Sequence, residues 1–146
     1  MTPDDHRATA VSTYNACWAL LDAIRTSEQD CELLTCAFTS RYHWAQVGGP
    51  SECAVADWMV SRCAAATGDA PLALAFARAS RTHDESGFEP WLRASLIEGL
   101  ARAHDCAGAV EDRDRLVAEA LAVLEQEPDP ENAQVIRDQL ADLVGS

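Results

Sequence analysis

Lysine is absent from the 146 residues; all eleven basic side chains are arginine. That absence excludes Schiff-base chemistry and any phosphate loop that depends on a lysine, and a GC-rich coding sequence produces the same bias. Positive charge is scarce as well, with 24 acidic residues and a net charge of −13. A surface this acidic repels phosphate backbones and anionic lipid, so neither nucleic acid nor a membrane is expected as a partner. Aromatic residues make up only 6% of the chain, and β-branched residues are sparse, which argues against a sheet-rich fold. No apolar run approaches the roughly 20 residues that span a bilayer. The opening Met1-Thr2-Pro3-Asp4-Asp5 lacks the basic and apolar stretches of a secretion signal. A cytoplasmic location is the default expectation.

What the chain does contain is alanine, the best helix former, within a hydrophobic content of 48%. The length suits one domain over residues 1–146 with a sizeable core. Glycine and proline mark its divisions. Pro3, Pro50, Pro71, Pro90, Pro128 and Pro130 fall at helix starts or in a linker, and every glycine except Gly99 falls at a break.

Seven helices follow from this punctuation and from apolar periodicity. The first runs from about Asp4 to Arg25, capped by Thr2 with Asp5 three residues on, and buries Ala10, Tyr14, Cys17, Leu21 and Ile24. The second runs from Ser27 to about Val47, with Leu34, Phe38 and Ala45 inward. The third occupies Ser51 to Gly68, with Val55, Trp58, Met59 and Ala66 inward. Asp69 caps the fourth, which carries Leu72, Phe76, Ala79 and His83 on one face until Gly87 breaks it. The fifth spans Glu89–Ala107 around Leu92, Leu96, Leu100 and Ala103. The sixth spans Val110–Gln126 and the seventh Glu131–Val144. The fold class is all-α, with antiparallel helices in helix-turn-helix pairs.

Within this layout, residues 54–83 form a helix, a Gly68-Asp69 break and a second helix with the small residue Ala73 at a contact position. Leu100, Ala101 and Gly108 fit a second copy. The unit resembles a tetratricopeptide repeat, whose period is near 34 residues. Trp58 lies one place from that family's usual aromatic position, and Ala109 stands where its Asp is expected. The resemblance implies a right-handed superhelix and a scaffold that binds a partner peptide or domain in a groove.

Six cysteines, Cys17, Cys31, Cys36, Cys53, Cys63 and Cys106, all fall in helical stretches and read as reduced thiols that pack as small hydrophobes. A metal site drawing on Cys31, Cys36 and His43 meets helical geometry. Cys31 and Cys36 diverge by about 140°, and Cys36 and His43 stand about 10 Å apart along the axis, against metal–ligand distances of roughly 2.0–2.3 Å. No catalytic, metal-binding or phosphate-binding motif occurs, and no cofactor is called for.

The polar side of the second helix holds Glu32, Thr35, Cys36, Thr39, His43 and Gln46. On the fifth helix Trp91, Ser95, Glu98 and Arg102 share a side opposite the leucines. That side reads either as a peptide contact or as a solvated face with an ordinary Glu98–Arg102 pair. The tract from Glu111 to Glu131 reads as a solubilising charge run or a dock for a basic partner.

The reading carried forward is an interaction module that binds a protein or peptide, with a second copy of the chain as a further candidate partner. Its groove would be edged by the second, third and fifth helices, with Arg41, His43, Trp91 and Arg102 as contacts. The alternative is a small enzyme or ligand- or metal-binding protein with a Cys/His pocket between helices.

Overall fold

A computed structural model describes residues 1–145. Among them lie seven helices and no strand: α1 (Pro3–Leu21), α2 (Ser27–Val47), α3 (Pro50–Ala66), α4 (Ala70–Ser80), α5 (Pro90–Cys106), α6 (Val110–Leu124) and α7 (Pro130–Val144). The all-α expectation holds. No helix among the described residues is long and apolar enough to cross a membrane.

Local chemistry sets the helix starts. Thr2 Oγ1 accepts from the Asp5 N–H at 3.1 Å, and the Asp5 carboxylate accepts from the Thr2 N–H at 3.0 Å. Thr26 and Gln29 repeat this capping box at the head of α2. The helices α3, α4, α5 and α7 each carry proline in the first turn, where its missing N–H costs nothing.

Two ends depart from the sequence expectation. The first helix stops at Leu21, and Ile24 is fully exposed instead of buried. Arg25 is the reason. Its guanidinium donates to the Leu20 carbonyl at 2.9 Å and to that of Leu21 at 3.3 Å, while Nε pairs with Asp30 at 2.7 Å. The orphan carbonyls of the helix end are thereby satisfied without further turns. The fourth helix stops at Ser80, so His83 lies in the loop instead of on the helical stripe. There its Nε2 is 2.9 Å from the Asp57 carboxylate.

The inward faces also differ in part. In α2 the buried residues are Leu33, Ala37 and Ser40, whereas Phe38 and Ala45 are exposed. Ser40 can be buried because its hydroxyl donates to the Ala10 carbonyl at 2.8 Å, which seals the close contact of α2 with α1. Ala66, expected inward on α3, is exposed at the helix end.

Consecutive helices pair, α1 with α2, α3 with α4 and α5 with α6, and the odd helices also touch in series, α1 to α3 to α5 to α7. Small residues permit the close α3–α4 approach: Ala64, Ala73 and Ala77 are fully buried, and Ser61 donates to the Ala73 carbonyl at 2.8 Å. Turns of one design close α3 and α5. Gly68 and Gly108 adopt φ of 82° and 76°, a region that favours glycine. The next N–H in each case, of Asp69 and Ala109, returns to the carbonyl five residues back at 2.9 Å. Pro50 and Pro90, like Gly68 and Gly108, stand forty residues apart. The spacing of these two units is thus longer than 34 residues, because the 81–89 loop intervenes.

Candidate functional site: a groove along the odd-numbered helices

The serial contact of α1, α3, α5 and α7 creates one long face, and three adjoining cavities run along it. The first, of about 450 Å³, lies where the start of α5 meets α1 and α3 and is lined by Tyr14, Trp44, Glu52, Phe88, Glu89 and Trp91 among others. The second, of about 240 Å³, takes residues from all four odd helices, including Trp18, Trp58, Ser95 and Val135. The third, of about 300 Å³, includes Asp22, Arg62, Arg102 and Asp105. Tyr14, Val55, Trp91 and Leu92 belong to both the first and the second, and Trp18 to both the second and the third. The three are therefore neighbours along one face and make a groove with shared walls.

A buried ionic cluster borders its third cavity through Arg62 and Arg102. Helix α5 is buried nearly all round, so Glu98 has no exposed surface at all. This overturns the solvated reading of the Trp91–Arg102 side. Glu98 Oε1 accepts from Arg102 Nε at 2.8 Å and lies 3.9 Å from Arg62 Nη1. The Arg62 guanidinium sits 5.1 Å from the Trp18 ring centre and 5.6 Å from that of Trp58, within cation–π range of both. Burial, then repulsion from Arg102, lower the Arg62 pKa from its usual value, and Glu98 opposes them. Arg62 and Arg102 occupy equivalent places in the two forty-residue units, as do Trp58 and Glu98. Successive units thus supply the two arginines that hold one carboxylate.

Of the four contacts expected from sequence, the groove takes in Trp91 and Arg102. Arg41 and His43 are elsewhere. Arg41 Nε donates to the buried Asp57 at 2.6 Å, and its guanidinium stands 5.1 Å from the Phe76 ring. His43 Nδ1 lies 2.8 Å from His6 Nδ1, in a separate α2 hollow with Tyr42 and Phe38. Helix α2 gives the groove only Trp44, and its edges are α1, α3, α5 and α7 instead of the second, third and fifth helices alone. Tyr14, Trp18, Arg62 and Phe88 are groove residues that the sequence reading did not select as contacts. The Arg62–Arg102 spacing was the available signal, and a 34-residue period conceals it.

Apart from Cys17 and Cys63, which touch, the thiols are dispersed. Cys106 lines the third cavity without a histidine, and His43 lines the α2 hollow without a cysteine. Among the described residues, no three His, Cys, Asp or Glu side chains gather as a metal set would. Cys63 is fully buried, and its contact with Cys17 together with burial pushes its thiol pKa upward. Burial likewise raises Cys36, Cys53 and Cys106. Cys31 alone is exposed among the six. At pH 7 iodoacetamide is expected to label Cys31 first, because accessible thiolate is what reacts. Peptide mapping by mass spectrometry checks this, and earlier labelling of Cys63 would contradict the packing.

Comparison with protein-family models, curated proteins and solved structures yields no match. The groove geometry therefore carries the functional reading.

Proposed function

We propose that this chain is a protein-interaction module, a tetratricopeptide-like array whose odd-helix face holds a peptide segment or exposed element of a partner protein. The observation that carries the reading is the row of adjoining cavities along α1, α3, α5 and α7. Aromatic rings line it, and these give large contact areas at low conformational cost. One end borders a fixed ionic cluster instead of a set of mobile charges. A groove that crosses four helices suits an extended ligand better than a compact one. The paired helices and the two matching glycine turns support the repeat-array assignment.

The test is selection from a displayed library of random peptides, followed by affinity measurements on two variants. Val135 and Val110 are both exposed, at 56% and 48%, but only Val135 lines the groove. Val135→Glu is expected to weaken selected peptides by about tenfold, equivalent to about 1.4 kcal/mol. Val110→Glu should leave them unchanged. Absence of any binder, or binders indifferent to Val135→Glu, would refute the reading.

A further inference from the structure

We propose that the 450 Å³ cavity at the start of α5 receives a basic side chain of the bound segment, a guanidinium or alkylammonium group on an apolar stem. This deepens the segment-binding reading and rests on it. The wall chemistry selects the ligand. Tyr14, Trp44, Phe88 and Trp91 bring four aromatic rings to one space, and Glu52 and Glu89 add two carboxylates. Aromatic rings attract cations through their quadrupoles, and carboxylates attract them directly. An anionic group would meet repulsion from both acids. A neutral apolar group would use the rings but gain nothing from the charges.

The chain itself supplies an example of the recognition. The Arg7 guanidinium stands 5.3 Å from the Trp44 ring centre and 4.0 Å from the Glu52 carboxylate. One wall of the cavity already holds a guanidinium by the pairing proposed for the ligand. Glu89 accepts a hydrogen bond from the Trp91 indole N–H, which ties a carboxylate to a ring of the same site. Hydrogen bonds from backbone N–H groups and Ser51 hold the Glu52 pKa below its usual value, so the acid is ionised at neutral pH. The shared walls point to the source of the cation. The cavity shares Tyr14, Val55, Trp91 and Leu92 with the next stretch of groove, so a side chain placed here belongs to a segment that continues along the odd helices. A net charge of −13 favours a basic partner at long range.

The experiment compares library selections by the wild-type chain and by the double variant Glu52→Gln/Glu89→Gln, at about 0.3 M salt, where the Debye length falls below roughly 8 Å and diffuse attraction is screened. Circular dichroism and thermal unfolding confirm that the variant folds. The wild type is expected to enrich Arg or Lys at one position in fixed register with apolar positions. The double variant should lose that position and keep the apolar ones. A synthetic selected peptide with citrulline in place of its arginine should bind the wild type roughly tenfold more weakly, within the range of desolvated cation–π contacts. The double variant should bind both peptides alike. Binders with no fixed basic position, or with one that the double variant retains, would overturn the cation inference and leave the segment-binding reading standing. No binders at all would overturn both.

Discussion

Glu98→Ala is expected to destabilise the protein by about 3–5 kcal/mol, the cost of stripping the partner from a buried charge. Glu98 is completely buried and is the carboxylate facing both Arg62 and Arg102. Its removal leaves the Arg62 guanidinium against two indole rings and beside a second cation, in a place where burial already works against its charge. Arg102 has an outlet, because its side chain is 23% exposed and can extend toward water. Arg62, at 19%, has less freedom. The double variant Arg62→Met/Glu98→Leu removes the buried pair together and should regain most of the loss. Urea denaturation checks both, with the midpoint read alongside the slope. A single variant within about 1 kcal/mol of wild type would mean that water reaches the cluster freely.

Gly99→Ala should produce the second large effect. A Cβ at Gly99 would lie 2.5 Å from Trp58 Cδ1 and 2.8 Å from Nε1, closer than atoms tolerate. The indole has little room to yield, because Trp58 is only 5% exposed and is packed against Trp18 and Arg62. Overpacking of this kind costs about 1–3 kcal/mol or more. Replacing glycine by alanine inside a helix returns about 1 kcal/mol. The clash wins where the ring cannot move, so a net loss of about 2 kcal/mol is expected. That corresponds to a fall in melting temperature of roughly 4–8 °C for a chain of this size. A shift in tryptophan emission should accompany it. Gly87→Ala is the control: nothing lies within 4 Å of its added Cβ. A Gly99→Ala protein more stable than wild type, with unchanged emission, would show that the Trp58 contact is loose.

Gly99 also marks the limit of sequence reading. Its place inside a helix was legible as an anomaly, since glycine weakens helices. The reason, a tryptophan from α3 lying across its backbone, was not. Arg25 gives a second case. A helical pattern runs through residue 25, but the side chain folds back and caps α1 at Leu21. Ser40 gives a third, since a lone serine on a helix reads as outward until a neighbouring carbonyl accepts from it. The candidate site follows the same division. Trp91 and Arg102, picked out from sequence as an aromatic and a charge on one helix face, line the cavities. Arg41 and His43 have the same residue chemistry but are bound to Asp57 and His6 on other surfaces.

Sequence alone determined the helical class, the seven helices among the described residues and most of their boundaries. Those depend on local quantities: alanine content, proline in first turns, capping side chains and glycine at left-handed turns. It also determined the net charge of −13. Tertiary structure alone decided which faces meet. A helix such as α5, with apolar residues on one side and Trp91, Ser95, Glu98 and Arg102 on the other, has an obvious outside only while it is considered alone. Packed between α3, α6 and α7, it buries both sides. The polar side then turns inward, because a buried carboxylate is tolerable where two arginines from successive units reach it.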